Sequence, residues 1–382
     1  MAIGAGATVV GMLPVFFTGA MAVQLSTELD FGTVGIGAAV GTFFATMALT
    51  SIHLGRVADR LGATLSLRIS TIATAVATFS IATLSRSWLT LAMGLVVAGA
   101  AAALTQPAAN RLLINRVRRA RLGTAFGLKQ SAPPTASMLA GLAVPAIALT
   151  AGWRWAYALA GACALLVTVA VGPRPPTAAR QARGTDRPTR EPLQHRGTLV
   201  VLAIGFGLAF AASSIVLAFY VDAAVAAGTS QQRAGLVFAA AGLASIMTRL
   251  IAGAACDRFA LAPLRLSAAL LATGAAGIGL LATGRPAALI VGAVVALAGT
   301  WGFPGVFWYA LVRAYPDTPG RITGTMAPAA LGGIIGPVGS GAVAANMGYS
   351  VAWALTSVLA LVAAAVMVFG ARELAAADTL AD

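Results

Sequence analysis

The chain has 382 residues, of which 59% are hydrophobic and only 9% are charged. A soluble domain carries about 25% charged residues, so this composition excludes an ordinary water-facing surface and predicts a protein that faces lipid. The net charge of +14 would suggest nucleic-acid binding in a soluble protein. Here arginines in the connections between membrane helices account for the charge, and we expect no nucleic-acid partner.

Apolar runs of about 20 residues, the length that crosses a bilayer core as a helix, recur throughout the chain. They are too long and too poor in alternation for the strands of a membrane barrel. We therefore predict an all-α membrane protein with twelve transmembrane helices, called spans 1 to 12. In chain order the predicted spans cover residues 3–25, 33–54, 63–84, 88–112, 121–149, 153–172, 198–221, 231–254, 262–283, 286–312, 321–345 and 349–370.

The stretch between spans 6 and 7 is rich in Pro, Arg and Thr, which predicts a solvated linker. The predicted organisation is an N-terminal six-helix bundle over residues 1–172, a cytoplasmic linker over 173–197 and a C-terminal six-helix bundle over 198–382. Arginines concentrate in the even-numbered connections and the linker. The positive-inside rule therefore predicts a multi-pass protein of the cell inner membrane with both termini in the cytoplasm.

A short pattern occurs twice, 198 positions apart, after spans 2 and 8. The first copy reads Gly55-Arg56-Val57-Ala58-Asp59-Arg60 and the second reads Gly253-Ala254-Ala255-Cys256-Asp257-Arg258. Pro107 in span 4 and Pro304 in span 10 repeat with a similar spacing of 197 positions. Near-constant offsets indicate two pseudo-symmetric halves, an organisation that in transporters places the substrate site between the halves.

The twelve spans and the charged linker resemble the organisation of the major facilitator superfamily. The loop formed by Gly55, Asp59, Arg60 and Gly62 resembles the Gly-x-x-x-Asp-Arg-x-Gly loop of the same superfamily. The resemblance implies a transporter, expected to be monomeric, that moves a small-molecule substrate by alternating access while surrounded by membrane lipid. The stretch 127–131, with 139–141 and 152–154, is similar to a bacterial branch that includes cyanate-permease-like proteins. That narrower likeness implies a small anionic or weakly acidic substrate.

The sequence also indicates what the protein does not do. It has no Ser/His/Asp arrangement, no paired carboxylates, no metal-ligand cluster and no Walker-type phosphate loop. We therefore expect no enzymatic activity, no metal, no cofactor and no direct use of ATP. The arginine typical of span 4 in proton-coupled drug exporters is missing from 91–95, and 132–135 replaces the Gly-Pro-rich antiporter signature of span 5.

The doubled loop is a predicted gate. A carboxylate at Asp59 is suited to accept hydrogen bonds from the free N–H groups of a helix start, and the resemblance places that contact at 320–324, where span 11 begins. Arg60 or a linker arginine would pair with Asp59, and Gly55 and Gly253 would permit close helix approach. The alternative is a plain basic turn. For Asp257 and Arg258, in the second copy, the two interpretations are equally supported.

Lys129 is the only lysine of the chain and lies inside predicted span 5. A cation within the membrane is a functional-site candidate by default, and we expect it to contact an anionic substrate, with Gln130 adding polarity beside it. A lysine that snorkels to the interface is the alternative. Arg249, one turn before Gly253, is either a second anion contact or a charge at the pore mouth that holds the cytoplasmic ends of the helices together, and the structural role is the favoured interpretation.

The remaining candidate residues line the predicted path along spans 1, 4, 7 and 10. They are Gln106 in span 4, Phe210 in span 7 and Trp301 in span 10, the last beside a Gly- and Pro-rich interruption that often marks a site or gate. An interfacial aromatic belt is the alternative for the span 10 aromatics. Proton coupling has two weak candidates, Asp222 and His53.

The sequence thus predicts a secondary active transporter for a small, anionic solute. The alternative within transport is an efflux carrier for hydrophobic or drug-like compounds, which the aromatic path favours and the missing exporter signatures oppose.

Overall fold

The computed structural model describes residues 2–116, 130–172, 196–259, 261–314 and 325–378. Every regular element within them is helical. In these ranges eleven helices are long and apolar enough to cross a membrane, and a shorter apolar helix, Ala132–Ala148, occupies the place of span 5. The predicted all-α architecture of about twelve membrane helices is confirmed.

The helices of the first half, here residues 2–172, follow the predicted order. They are Ala2–Ala20 with Ala22–Glu28 (span 1), Thr33–Leu61 (span 2), Ala63–Leu84 (span 3), Trp88–Arg116 (span 4), Ala132–Ala143 with the π-helical turn Val144–Ala148 (span 5) and Trp153–Val171 (span 6). Lys129 and the beginning of predicted span 5 lie outside the described residues.

The second half, here residues 196–378, contains the other six spans. They are Arg196–Ala226 (span 7), Gln231–Phe259 (span 8), Pro263–Leu281 (span 9), Pro286–Thr300 with Phe303–Ala314 (span 10), the 3-10 turn Ala327–Leu331 with Gly332–Met347 (span 11), and Tyr349–Asp378 (span 12). Most of the proposed linker lies outside the described residues, so the division into two bundles joined at 173–197 stays a prediction.

Spans 2 and 8 are longer than predicted, and this corrects the interpretation of the doubled pattern as a loop. Span 2 ends at Leu61 and span 8 at Phe259, so both copies lie on the last turns of helices. The first copy contains no residue that stops a helix. Span 2 ends only at Gly62, whose φ of +80° favours glycine.

The two ends of the molecule differ in charge. The end here called the basic end carries Arg56 and Arg60 at the end of span 2, Arg111 near the end of span 4, and Arg258 at the end of span 8. The other end, called the opposite end, carries the turns from span 1 to span 2 and from span 7 to span 8.

Close contacts join the halves toward the opposite end, where span 2 packs on span 11 and span 5 packs on span 8. These two contacts are called the seam. A methyl group on Gly37 would overlap the carbonyl oxygen of Pro337, and a Cβ on Gly242 would lie 2.7 Å from the backbone nitrogen of Met138. Without side chains at these glycines, the helix backbones approach closely and gain packing contacts.

Close packing at the seam predicts different losses of stability when two glycines of span 8 are replaced by alanine. Gly242→Ala places a Cβ against the backbone of Met138, and also 2.9 Å from the carbonyl oxygen of Pro134, so we expect a loss of about 1–3 kcal/mol of stability from overpacking. Gly253→Ala is the matched control, because its Cβ would meet no atom within 4 Å.

Thermal unfolding of the purified protein in one detergent measures both variants. Gly242→Ala should lower the midpoint, while Gly253→Ala should leave it unchanged or raise it, since alanine favours a helix over glycine. Equal midpoints for the two variants would contradict the close packing at the seam.

Candidate functional site

A break in span 10 creates the candidate site. The helix stops at Thr300 and resumes at Phe303. Pro304 has no N–H to bond with the carbonyl oxygen four residues earlier, which belongs to Thr300. The hydroxyl of Ser213 in span 7 lies 2.8 Å from that oxygen and 2.7 Å from the carbonyl oxygen of Ala209 in its own helix, so its one proton is shared between the two acceptors. The break is therefore stabilised by a side chain from a neighbouring helix.

Arg249 stabilises the next carbonyl of the same break. Its Nε donates to the carbonyl oxygen of Trp301 at 2.6 Å, and the residue is only 8% exposed. Within the described part of the chain no carboxylate forms an ion pair with Arg249, and no other protein acceptor contacts its guanidinium. A buried cation without a counter-charge is costly, so this side chain is suited to an anionic ligand.

A cavity of about 100 Å³ lies against Arg249. Spans 5, 7, 8 and 10 contribute to it, so its walls come from both halves. The lining residues are Gln130, Pro133, Phe206, Phe210, Ser213, Arg249, Thr300, Trp301, Phe303, Pro304 and Trp308. One cation and a few neutral polar groups among aromatic walls are typical of a small-molecule site.

The aromatic walls are packed against one another. Phe206 stacks on Phe210 with ring centroids 6.5 Å apart, and Phe210 meets Trp301 edge-on at 6.2 Å. The indole Nε1 of Trp301 donates to the carbonyl oxygen of Ser213 at 3.2 Å, and its ring lies 5.6 Å from Phe16 of span 1. Trp301 therefore has an interior position held from several sides, which differs from an interfacial belt.

Four of the six residues predicted to bind substrate line this cavity: Gln130, Phe210, Trp301 and Arg249. Gln106 is half-buried on span 4 and does not line it. Lys129 lies outside the described residues, directly before Gln130. Whether these side chains bind substrate stays a prediction.

Five further lining residues belong to the predicted path along spans 7 and 10, namely Phe206, Ser213, Phe303, Pro304 and Trp308, and two were missed, Pro133 and Thr300. Thr300 could have been found from Pro304, because a proline inside a helix always releases the carbonyl four residues before it. No comparable signal marks Pro133, which was considered only as part of a missing exporter signature.

The predicted gate residues lie at the basic end. Asp59 forms an ion pair with Arg111 of span 4, a partner that was not expected, and most of the linker arginines lie outside the described residues. Both side chains are well exposed, at 55% and 37%, so the pair contributes at most about 1 kcal/mol. The expected contact at 320–324 lies outside the described residues, and the latch to span 11 stays a prediction.

The glycines of the doubled pattern do not make the expected close approach in this structure. A Cβ on Gly55 or on Gly253 would meet no atom within 4 Å. In the second copy, Arg258 is exposed and lies 5.8 Å above the ring of Phe259, while nothing is described for the side chain of Asp257. A gating role for these four residues remains a prediction.

A larger apolar groove of about 580 Å³ lies along spans 7, 11 and 12. No charged side chain lines it, and its wall includes outward-facing residues such as Ile204 and Ile335, which are 56% and 65% exposed. In a membrane protein such a surface faces the lipid tails. Its size alone does not make it the solute site.

A charged cluster at the opposite end ties span 1 to span 6. Glu28 accepts hydrogen bonds from the side chains of Trp153 and Arg154. Partial burial opposes ionisation of Glu28, but these hydrogen bonds and the charge of Arg154 outweigh it and hold the pKa of Glu28 below its ordinary value of 4.5. The stabilisation is therefore complete above that ordinary value and is lost as the pH falls through the lower, folded-state pKa.

Membrane-spanning helices around a cavity that both halves line define a membrane carrier class. The family model described as Major Facilitator Superfamily matches residues 3–329. Because this match covers most of the chain, the protein belongs to the major facilitator superfamily and is a multi-pass membrane transporter. No curated protein matches the chain, and the narrower likeness to cyanate-permease-like proteins stays a prediction.

The break in span 10 predicts a coupled pair of substitutions. Ser213→Ala removes the donor to the Thr300 carbonyl, and an unpaired buried carbonyl costs about 1–3 kcal/mol. Pro304→Ala restores a backbone N–H near that carbonyl. Ser213→Ala should therefore cost less stability in a Pro304→Ala background than in the parent, which a double-mutant cycle of denaturant unfolding measures. Strictly additive losses would show that Ser213 does not compensate for Pro304.

Proposed function

We propose that this protein is a secondary active transporter that moves a small anionic solute by alternating access. The observation that supports the anion is Arg249, a buried cation beside the central cavity without a carboxylate partner in the described residues. The superfamily sets the transport class, and Arg249 sets the charge of the proposed solute.

The guanidinium is suited to one negative group. Its Nε donates to the Trp301 carbonyl, so the other N–H groups of the guanidinium are available to a ligand. Their planar arrangement matches the oxygens of a carboxylate or an inorganic oxyanion. Binding of such a group replaces an unpaired buried charge with a charge-assisted pair. The same pairing is unavailable to a neutral or cationic solute.

The cavity limits the size of the proposed solute. Its volume is about 100 Å³, which suits a small solute. A short carboxylate or an inorganic oxyanion fits this space, with the aromatic rings of Phe206 and Phe210 against its apolar part. Lys129, directly before Gln130, is the proposed second cation for the same solute.

Alternating access follows from where the halves meet. The seam closes the halves toward the opposite end, and the proposed latch of Asp59 with span 11 would close them at the basic end. Each closure biases an equilibrium between states that differ by a few kcal/mol. We propose that the basic end is cytoplasmic, as the positive-inside rule indicates.

One observation favours the alternative, an efflux carrier for hydrophobic compounds. Phe206, Phe303, Phe307 and Trp308 form a continuous aromatic cluster beside the cavity, with Phe206 and Phe307 centroids 4.9 Å apart. Such a surface binds apolar ligands. An unpaired cation in the same cavity disfavours lipophilic cations, and the anion is therefore the preferred substrate class.

Arg249→Gln tests the proposed charge of the solute. A ligand that binds the folded state raises the unfolding midpoint, so small carboxylates and oxyanions should stabilise the purified parent protein. Arg249→Gln should lose this response, because a neutral amide lacks the charge, while Arg233→Gln on the exposed start of the same helix should keep it. The measurement is a thermal-shift titration with acetate, bicarbonate and phosphate, and with amphipathic cations in parallel.

Two results would contradict the anion proposal. One is an equal response of Arg249→Gln and the parent to every anion. The other is stabilisation of the parent only by amphipathic cations, which would favour the efflux carrier.

Asp59→Asn tests the proposed latch. The amide keeps the shape of the side chain but removes the charge that a helix start would favour. We expect normal membrane insertion with uptake into proteoliposomes reduced several-fold. Arg111→Gln is the informative comparison, because it removes the ion pair seen here while leaving the Asp59 carboxylate. Unchanged uptake in Asp59→Asn would reject the latch, and an equal loss in both variants would assign the effect to the ion pair.

A further inference from the structure

Asp222 is a carboxylate inside span 7, near the opposite end. The helix continues to Ala226, so this residue lies within the helix rather than at its end as predicted. Its side chain accepts a hydrogen bond from the phenol of Tyr349 at the start of span 12. An ionisable group within a membrane segment is expensive and is a candidate for function.

The Asp222–Tyr349 pair is connected to the other half of the molecule. The side chain of Thr33, the first residue of span 2, lies beside the phenol of Tyr349. Its ring lies 6.4 Å from that of Phe219, and a Cβ on Gly341 of span 11 would lie 3.2 Å from the carbonyl oxygen of Thr33. The pair therefore lies on the contact between spans 2 and 11.

The other charged residues at this end are Glu28, Asp30, Arg86, Arg154, Arg233 and Arg285. Glu28 is paired with Arg154, and within the described ranges no basic residue forms an ion pair with Asp222. Within the described residues Tyr349 is the titratable group that contacts the Asp222 carboxylate. Its protonation is thus set by that phenol and by contact with water.

We propose that Asp222 is a proton-binding site that links opening of the opposite end to the pH on that side of the membrane. The proposal rests on alternating access but not on the identity of the solute. Opening the contact between spans 2 and 11 separates Thr33 from Tyr349 and admits water to the carboxylate.

The sign of the linkage follows from hydration. Water stabilises the ionised carboxylate more than the closed seam does, because burial penalises charge. Because the open state stabilises the ionised carboxylate, removing the proton shifts the equilibrium toward the open state. Raising the pH on this side therefore opens the seam, and lowering it closes the seam. The proton moves between the carboxylate oxygen and water, with no other bond changed.

Tyr349 adjusts the pH at which the seam opens. Its phenol donates to Asp222 in the same half, so this hydrogen bond is retained when the halves separate. A charge-assisted hydrogen bond favours the ionised form, and its loss is equivalent to a shift of about one to two pH units. Removing the phenol hydroxyl should move the transition to higher pH by about that amount.

Thiol labelling measures the seam without any solute. Gln24 in span 1 donates a side-chain hydrogen bond to Gln231 in span 8 at 3.1 Å, across the halves. A cysteine at Gln231, in a chain with Cys163→Ser and Cys256→Ser, should react with a maleimide faster when the opposite end opens. The rate is divided by that of a cysteine at Thr283, an exposed residue at the end of span 9, to remove the pH dependence of the thiol itself.

In proteoliposomes the normalised rate should rise with pH through one transition. Asp222→Asn should remove the transition, Tyr349→Phe should move it to higher pH by about one unit or more, and Glu28→Gln should leave it in place. A rate that does not depend on pH, or a transition retained in Asp222→Asn, would overturn the proposal.

Two further outcomes separate the explanations. If Asp222→Asn does not fold, an unmoved transition in Tyr349→Phe would overturn the proposal on its own. If the transition behaves as expected but no anion stabilises the protein, the proton site stands and the proposed solute is wrong.

Discussion

The hydrogen bond from Arg249 to the carbonyl oxygen of Trp301 connects the helix break to the cavity chemistry. A break within a membrane helix is tolerated only where its released backbone groups find partners, and Arg249 and Ser213 supply them at Trp301 and Thr300. The consequence is that a cation is fixed at the centre of the molecule by the same contact that permits the break. The local backbone geometry and the solute preference that we propose are therefore not independent features.

Small residues at the seam explain how such a molecule can have two states. Contact between helices in lipid depends on close packing, because lipid tails are as apolar as the helices. The contacts at Gly37 and Gly242 involve backbone atoms, which interdigitate little. Backbone surfaces of this kind can separate without extracting large side chains from holes, in contrast to the packed aromatic cluster around Phe206 within the second half.

The sequence predicted the helical architecture and part of the site because both follow from local rules. Apolar runs of the right length give the spans, and Pro304 with its neighbouring glycines marks the break beside Trp301. Partners that come from distant helices could not be predicted. Nothing local says that Asp59 pairs with Arg111 or that Tyr349 contacts Asp222, since these depend on how spans pack. The pattern at Gly55 was placed in a loop because it follows the apolar run of span 2 and resembles a loop of the superfamily, whereas the helix continues to Leu61 and stops at Gly62.

The ionisable groups at the two ends differ in their exposure and in their partners. At the basic end the described ion pair of Asp59 with Arg111 is solvent-exposed, so it is weak, screened by salt and easily exchanged for another partner such as a helix start. At the opposite end the Asp222 carboxylate is only partly exposed and faces a phenol, so its energy depends on hydration more than on ionic strength. Opening at the basic end should thus respond to salt, and opening at the opposite end to pH. In our proposal a carrier arranged in this way senses a different property of the solution on each side of the membrane, while Arg249 between the two ends contacts the solute.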